Sequence, residues 1–317
     1  PAYHCREVGE FDLIARLAAA LGDAGADVVL GIGDDAAVLP GGLVVSTDLV
    51  VQDVHFRRAT TGLADLGWKS LAVAVSDLAA MGAEPVGAVV GLAVGSGWTA
   101  DDLVEVYGGI GECARACGCP VVGGDVSRAP ALMLAVTVFG RAAAPATRAG
   151  AQPGDVLAVT GWLGGSEAGR LLLEGAVVDV PERADLWIRH RRPVPRLEEG
   201  RALAGVVHAM LDVSDGVASD ARRLAEASGV RVELDLDALP LQPGVAQVAV
   251  AAGREPGAFA ATGGEDYELL VALPAAALER SPVPLTPIGW ILDGPAGVRF
   301  TGAGADPALA GFDHLSS

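Results

Sequence analysis

The residues of this chain best suited to chemistry are aspartates that stand in otherwise apolar sequence. They are Asp34 and Asp35 after VVLGIG, Asp48 in VVSTDLVV, Asp77 in LAVAVSDLAAMG, Asp125 in PVVGGDVS, and Asp212 and Asp215 in MLDVSDGV. Any one of them alone is better explained as a turn or helix-cap residue. As a set at the ends of buried strands they would be costly to ionise without cations, and the chain has a single lysine to pair with them. Ligands that are all oxygen favour Mg²⁺ or Mn²⁺, so the set predicts a site for divalent cations.

The segment GIGDDAAVLP, residues 31–40, fits two kinds of loop. Its glycines and Ala36 match the G-x-G-x-x-G/A fingerprint of a dinucleotide-binding loop, which holds pyrophosphate with backbone N–H groups. Asp34 and Asp35 would repel that pyrophosphate unless a metal ion lay between them. The fingerprint also requires a helix directly after the glycines, whereas this chain continues into the strand-like GGLVVSTDLVV. A dinucleotide fold is therefore excluded, and the residues alone leave open whether the loop binds phosphate directly or binds metal first.

Other polar residues could face a phosphate-bearing ligand. In VVGGDVSR and TGGEDYELL, paired glycines would let the backbone approach a ligand faced by Asp125 in one case and by Glu265 and Asp266 in the other. His55, at the end of QDVHF, is explained equally well by a structural and by a functional role. Arg148 is a candidate phosphate contact, whereas the basic run RHRRPVPR is better explained as a solvated helix end.

Helical and strand-like segments alternate along the chain and would position these residues. GEFDLIARLAAALGDAG and WKSLAVAVSDLAAMGAEP carry apolar residues at helical spacing, whereas GGLVVSTDLVVQDVHF and ALMLAVTVFG are typical of β-strands. The Ala-, Pro- and Gly-rich VFGRAAAPATRAGAQPGD predicts a domain boundary near residues 141–153. Beyond it, DVLAVTG, GGSEAGRLLLEG and LDVSDGVASDARRLAEASG again alternate strand and helix. We therefore expect an α/β fold in two domains, residues 1–145 and 146–317.

Composition narrows the class of protein. A chain of 317 residues, 51% of them hydrophobic, is long enough for two cores, and a net charge of −18 argues against nucleic acid and anionic membranes as partners. Metal ions could still bridge its carboxylates to small anions. The longest apolar segment is interrupted by charged residues and Pro85, and no signal peptide is visible, so we expect a cytoplasmic protein without a membrane span. Ordinary buried thiols explain Cys113, Cys117 and Cys119 better than a zinc site does.

Seven motifs, in order along nearly the whole chain, closely resemble the thiamine-monophosphate kinase family. They are GIGDDAAVL, STDLVVQDVHF, WKSLAVAVSDLAAMGAEP, VVGGDVSR, TRAGAQPGD, LDVSDGVASD and GGEDYEL. The superfamily of that enzyme also contains aminoimidazole ribonucleotide synthetase and selenophosphate synthetase. The resemblance implies an α/β fold of two domains like that of aminoimidazole ribonucleotide synthetase. Its N-terminal domain would contain a mixed sheet, bind ATP and Mg²⁺ and form a homodimer. It also implies that ATP, several Mg²⁺ ions and thiamine phosphate meet in one cleft, so that GIGDD binds metal first.

The resemblance also implies roles for individual residues by matching position. The implied magnesium ligands are Asp35, Ser46, Thr47, Asp48, Asp77, Asp125, Asp212 and Asp215. The implied nucleotide contacts are Tyr107, Gly124, Asp125, Arg148 and Ser214. The implied contacts to thiamine phosphate are His55, Glu265 and Phe312. Two segments depart from the family pattern, VSR after GGD and the Trp162-containing TGWLGGSEAG, and no site residue is assigned in the second.

Three other functions are compatible with part of this sequence. A selenophosphate synthetase would need a reactive cysteine in a Gly-rich N-terminal segment, whereas Cys5 stands in HCREVGEFDLIARL, which leads straight into a predicted helix. In an aminoimidazole ribonucleotide synthetase, the segments GGEDYEL and QDVHF would be less expected. A metal- and nucleotide-binding maturation partner without turnover would need fewer carboxylates than are spread over both domains here.

The acceptor's chemistry predicts the mechanism. A phosphomonoester has a second pKa of about 6, so thiamine phosphate already carries an anionic nucleophile near neutral pH. Phosphoryl transfer then asks mainly for positioning and charge neutralisation. We therefore expect in-line transfer with no catalytic residue acting as general base.

Overall fold

The computed structural model describes residues 9–22, 25, 27–176 and 178–312. In this part of the chain two mixed β-sheets, each with its own helices, account for most of the regular structure, which confirms the predicted α/β class. No helix here combines the length and the apolar composition needed to cross a membrane.

The first sheet is built from the N-terminal half of the chain. Its strands are β1 (Ala37–Leu39), β2 (Leu43–Val51), β3 (Glu84–Val94), β4 (Val121–Arg128) and β5 (Met133–Arg141). They lie in the order β1-β2-β5-β3-β4, with β3 and β4 parallel and the other pairs antiparallel. The helices of this half are α1 (Glu10–Leu21), α2 (Leu63–Ala80) and α3 (Ala100–Cys117).

Helix α2 packs on one face of this sheet and is buried along most of its length. Alternate residues of β5, among them Leu134, Val136 and Val138, are buried in the same cluster as the apolar residues of α2. The helix begins at Leu63, before the predicted start at Trp68, because its N-cap glycine has no side chain to mark a helix start.

Strand pairing assigns the predicted ligands of this domain to the two faces of the sheet. One row across β2, β5, β3 and β4 runs from Asp48 to Gly124 and faces α2. The next row runs from Leu49 to Asp125 and faces away from α2, as does Thr47. The candidate ligands on β2 and β4 therefore do not all point to the same side of this sheet.

The second sheet is built from the C-terminal half. Its strands are β6 (Asp155–Val159), β7 (Ala209–Asp212), β8 (Arg231–Asp235), β9 (Leu269–Pro274), β10 (Thr286–Leu292) and β11 (Gly297–Thr301). They lie in the order β11-β8-β10-β6-β9-β7, antiparallel except for β11 and β8. The α-helices are α4 (Gly165–Leu173), α5 (Arg183–Arg191), α6 (Leu197–Leu203), α7 (Val217–Ser228), α8 (Val245–Ala251), α9 (Pro256–Thr262) and α10 (Ala275–Leu278), and Leu236–Ala238 forms a 3₁₀ turn.

The basic run RHRRPVPR joins the two halves, and its interpretation as a solvated helix end was wrong. Arg191 donates to the Thr60 carbonyl at 2.5 and 2.9 Å, and Arg192 Nε lies 2.5 Å from Asp65 Oδ1. Helix α5 ends at Arg191, two residues before Pro193. Arg191 and Arg192 find acceptors in the N-terminal half, which a pattern of charges along one segment cannot show.

Candidate active site

A cavity of about 1420 Å³ is lined by residues of both halves of the chain. The site residues predicted from the sequence that line it are Asp35, Ser46, Thr47, Asp48, His55, Asp77, Arg148, Asp212, Ser214, Asp215, Glu265 and Phe312. A cavity of this volume exceeds the roughly 300–1,000 Å³ of ordinary ligand pockets. It has room for two ligands of moderate size.

Three carboxylates converge at one end of this cavity. Oxygen atoms of Asp35, Asp77 and Asp212 all lie within 4.8 Å of one another. Asp35 lies in the loop before β1, Asp77 lies in the last turns of α2, and Asp212 is the last residue of β7. Two of these elements belong to the first half and one to the second, so the cluster forms only when the two halves pack together.

Burial and mutual repulsion make this cluster costly to ionise. Burial raises the pKa of Asp77 well above its ordinary value, and the negative charges of Asp48, Asp212 and Asp35 add to this effect. Burial and Asp35 raise the pKa of Asp212 to about 7, although the Ser76 hydroxyl donates to Asp212 Oδ2 at 2.6 Å.

A divalent cation fits this donor set. Asp35 Oδ2 is buried and has no hydrogen-bond partner among the described residues. The Ser46 hydroxyl donates to Asp77 Oδ2, which leaves the other oxygen of Asp77 for a ligand. Carboxylate oxygens at this spacing are the ligands that Mg²⁺ prefers.

Arg148 holds the GIGDD loop against the interdomain segment. Its Nη2 lies 2.6 Å from Asp35 Oδ1, and its backbone N–H donates to Asp34 Oδ2 at 3.1 Å. Burial alone would lower the pKa of Arg148, but Asp35 raises it above the ordinary value. Burial and Asp35 also raise the pKa of Asp34 to about 6. The guanidinium therefore stays charged beside the acid cluster, where it can bind phosphate.

A second charged group, centred on Glu265, lies on the wall of the same cavity. Lys69 Nζ lies 2.7 Å from Glu265 Oε1, and His190 Nδ1 lies 3.4 Å from Glu265 Oε2. Burial would raise the pKa of Glu265, but the charge of Lys69 holds it below its ordinary value. Burial and the charge of Lys69 lower the pKa of His190 to about 3, so its imidazole is neutral near pH 7.

The GGEDYEL motif directs its acidic residues to different places. Glu265 and Tyr267 both have left-handed backbone, with φ of 65° and 49°. Asp266, expected to face a ligand, instead accepts hydrogen bonds from the N–H groups of Gly164 (2.6 Å) and Ser166 (3.2 Å) and so caps the start of α4. That expectation was wrong, because the left-handed residues on either side turn Asp266 away from the cavity.

Glu268, the last acid of the motif, is also structural. It is fully buried and accepts from Arg189, Arg196 and Thr160 at 2.5 to 2.7 Å. Of the three acids in the motif, Glu265 alone lines the cavity.

Tyr107, Gly124 and Asp125 are not among the residues that line this cavity. Gly124 stands in the same row as Asp48 but three strands away, which corresponds to about 14 Å. Tyr107 lies on α3 beside a smaller cavity of about 470 Å³. The Thr47 hydroxyl lies 3.0 Å from Thr137 Oγ1, across β2 and β5. A single chain therefore assembles part of the predicted nucleotide and metal set.

Comparisons with known proteins match this arrangement. The model of the AIR synthase related protein N-terminal domain matches residues 33–142, and that of the C-terminal domain matches residues 152–300. The thiamine-monophosphate kinase of Mycobacterium tuberculosis (strain H37Rv) is 39% identical over 306 residues, which cover 94% of this chain and 89% of the relative. The chain belongs to the thiamine-monophosphate kinase family.

Two solved structures extend this relationship to the fold of the whole chain. The structure of thiamine monophosphate kinase from Aquifex aeolicus has a TM-score of 0.84 and 31% identity, covering 95% of this chain and 98% of that one. The structure described as AaThiL complexed with AMPPCP and TMP has a TM-score of 0.89 and 32% identity, covering 99% of both chains. The predicted likeness to thiamine-monophosphate kinases is thus confirmed, as is the two-part α/β fold.

In this member of the family, sequence motifs missed several titratable residues of the cavity, among them Lys69, His190 and Arg223. Arg223 forms an ion pair with Asp215 Oδ2, and its Nη1 lies 2.9 Å from Asp220 Oδ1. Lys69 carried the strongest signal, because a lone lysine in an otherwise apolar helix needs a buried partner.

Proposed function

We propose that the protein transfers the γ-phosphoryl group of ATP to the phosphate of thiamine phosphate and so produces thiamine diphosphate. The observation that carries this proposal is the convergence of Asp35, Asp77 and Asp212 beside Arg148 in a cavity large enough for two ligands. Relatives bearing the name thiamine-monophosphate kinase support it. So does the related structure described as a complex with AMPPCP and TMP.

The acid cluster is the proposed Mg²⁺ site. Asp35, Asp77 and Asp212 would hold the metal, with Ser46, Thr47, Asp48 and Asp215 as further candidate ligands. Bound Mg²⁺ would offset the repulsion between two phosphate-bearing substrates. Without such cations, the carboxylates would repel a triphosphate more strongly than Arg148 alone could attract it.

The remaining residues bind and orient the substrates. Arg148 and Ser214 are the proposed nucleotide contacts in this protomer, since a guanidinium binds phosphate oxygens well. His55, Glu265 and Phe312 are the proposed contacts to thiamine phosphate. The acceptor oxygen is already anionic, so the site needs alignment of donor and acceptor rather than a base.

A homodimer would complete the site. One face of the first sheet packs on α2, and among the described elements no helix packs on the other face. That other face carries Leu49, 52% exposed, and the edge strand β4 is exposed from Val122 to Arg128. A sheet normally buries both faces or leaves one polar, so a second copy is the proposed cover. Tyr107, Gly124 and Asp125 would then contribute to the partner's cavity.

The two proposed domains would have different roles. Residues 1–145 would bind ATP and Mg²⁺ and form the dimer, and residues 146–317 would close the cavity and supply the Glu265 wall. A cytoplasmic location is part of the proposal, in keeping with a nucleotide substrate and with the unpaired thiols of Cys113, Cys117 and Cys119.

The test is direct. The purified protein is incubated with ATP, Mg²⁺ and thiamine phosphate, and the products are separated by chromatography. Formation of thiamine diphosphate and ADP in equal amounts is expected. ATP hydrolysis without thiamine diphosphate would contradict the proposed function.

A further inference from the structure

Arg223 is the second arginine at the acid-rich end of the cavity. It lies on α7 and lines the cavity together with Asp215, which precedes that helix. One amino group of its guanidinium pairs with Asp215 Oδ2, and the other lies 2.9 Å from Asp220 Oδ1. The Asp220 side chain is fully buried, whereas that of Asp215 is 16% exposed. Asp220 is therefore a fixed anchor, and Asp215 is the partner that a ligand in the cavity can reach.

Arg223 and Arg148 are bound in the same way. Each guanidinium contacts a carboxylate that is a candidate metal ligand, Asp215 in one case and Asp35 in the other. These two arginines face a larger number of acids: Asp34, Asp35, Asp48, Asp77, Asp212, Asp215 and Asp220. In the absence of metal, the arginines are thus the main counter-charges at this end of the cavity.

A divalent cation would compete with each guanidinium for its carboxylate. A cation bound at Asp215 would repel the positive charge of Arg223 and use the oxygen to which Arg223 donates. The buried Asp220 would keep the guanidinium at the cavity wall, where it could turn its freed donors to another anion. A planar guanidinium matches the geometry of phosphate oxygens.

We propose that Arg223 exchanges Asp215 for a phosphate oxygen of a bound substrate when a divalent cation occupies Asp215. The inference rests on the proposed function for the identity of Asp215 as a metal ligand. It adds a phosphate contact to the site and couples that contact to metal binding. Loss of Arg223 should affect metal and phosphate in opposite directions, because its guanidinium competes with a cation for Asp215 and attracts a phosphate oxygen.

The test measures binding rather than turnover, so its outcome is separate from whether thiamine diphosphate is formed. Arg223→Gln removes the charge and keeps an amide that can donate to Asp220. In the absence of substrates, Mn²⁺ titrated by electron paramagnetic resonance should bind this variant about fivefold more tightly than the wild type. In saturating Mg²⁺, either AMPPCP or thiamine phosphate should bind it roughly tenfold more weakly, and the ligand that weakens identifies which phosphate Arg223 contacts.

The matched control is Arg222→Gln on the same helix. The Arg222 side chain donates to the Leu309 carbonyl at 3.1 Å and is not among the cavity-lining residues, so this variant should leave all three affinities unchanged. Arg223→Lys keeps the charge if the glutamine variant fails to fold, and it should retain wild-type Mn²⁺ affinity while binding the same phosphate ligand more weakly. Weaker Mn²⁺ binding by Arg223→Gln, or unchanged binding of both phosphate ligands by the variant that folds, would overturn the proposal.

Discussion

The Nδ1 atom of His55 accepts a hydrogen bond from the backbone N–H of Val51 at 3.0 Å. A backbone N–H can only donate, so Nδ1 must be unprotonated and the ring proton of the neutral imidazole lies on Nε2. His55 can therefore donate a hydrogen bond from Nε2 to a ligand in the cavity. Nε2 already carries a proton, so the only nitrogen that could accept another is Nδ1, and protonation there would require loss of the Val51 hydrogen bond.

The first prediction concerns this histidine. His55→Ala should raise the KM for thiamine phosphate roughly tenfold, because a contact to the acceptor is lost, and should change kcat at saturation by less than about tenfold. Steady-state kinetics with each substrate varied separately would measure both. A general base contributes about 10²–10⁴ in rate, so a fall in kcat of that size would show that His55 removes a proton after all.

The second prediction concerns Asp212 and pH. Its pKa is raised to about 7 in the folded protein from an ordinary value near 3.8, so the folded state binds more protons than the unfolded state between these pH values. Stability is therefore lost as the pH rises through this window and Asp212 ionises. In chelator, Asp212→Asn should melt at the same temperature as the wild type near pH 4 and several degrees higher above pH 7.

Magnesium should reverse the sign of that difference. The wild type should gain stability on addition of Mg²⁺ at pH 8, whereas Asp212→Asn should gain little because one ligand is lost. Scanning fluorimetry with and without Mg²⁺ would record both effects. An Asp212→Asn variant that is less stable than the wild type in chelator at pH 8 would contradict the account of repulsion in this cluster.

The third prediction tests the shared site of the homodimer. Asp77→Asn and Asp125→Asn should each abolish most activity, the first because Asp77 lies in the cavity of its own chain and the second because, in the proposed dimer, Asp125 would contribute to the partner's cavity. In a mixed dimer one of the two cavities would retain both residues. Co-expression in equal amounts should therefore restore about a quarter of wild-type activity. Failure to recover activity, with mixed dimers verified by mass spectrometry, would show that Asp125 acts in its own protomer.

The fourth prediction concerns Lys69 and Glu265. Lys69→Met should lower the free energy of unfolding by roughly 2 kcal/mol, less than for a fully buried pair because the Glu265 side chain is 27% exposed. It should also raise the KM for thiamine phosphate more than the KM for ATP. Glu265→Gln in the Lys69→Met background should recover part of the lost stability, because the unpaired charge is removed. Additive losses in urea denaturation of the double variant would rule out this pair as the cause.

The sequence indicated the acid cluster but not its boundaries. Asp35, Asp77 and Asp212 could be predicted because a carboxylate in apolar sequence at the end of a strand or in a buried helix needs a cation. The direction of the Asp266 side chain could not be predicted. It depends on left-handed backbone at Glu265 and Tyr267, a conformation that residues of those types seldom adopt.

Long-range pairing explains the other errors. The basic run RHRRPVPR was predicted to be solvated because its acceptors, such as the Thr60 carbonyl and Asp65, lie more than 100 residues away in the sequence. Some of the elements, such as α2, β2 and β5, followed from hydrophobic periodicity, which is a local signal. The faces of the first sheet on which Asp48 and Asp125 lie became clear only from the register of its strands.

The central claim is transfer to an anionic phosphate acceptor without a protein base, and a comparison of two acceptors tests it most directly. Turnover of thiamine and of thiamine phosphate is measured at matched concentrations with saturating ATP and Mg²⁺, and the products are identified by chromatography. Thiamine phosphate should be converted to thiamine diphosphate, whereas thiamine should react slower by at least about 10³, because its hydroxyl needs deprotonation and offers no phosphate to the metal site. Comparable rates on the two acceptors would contradict the account.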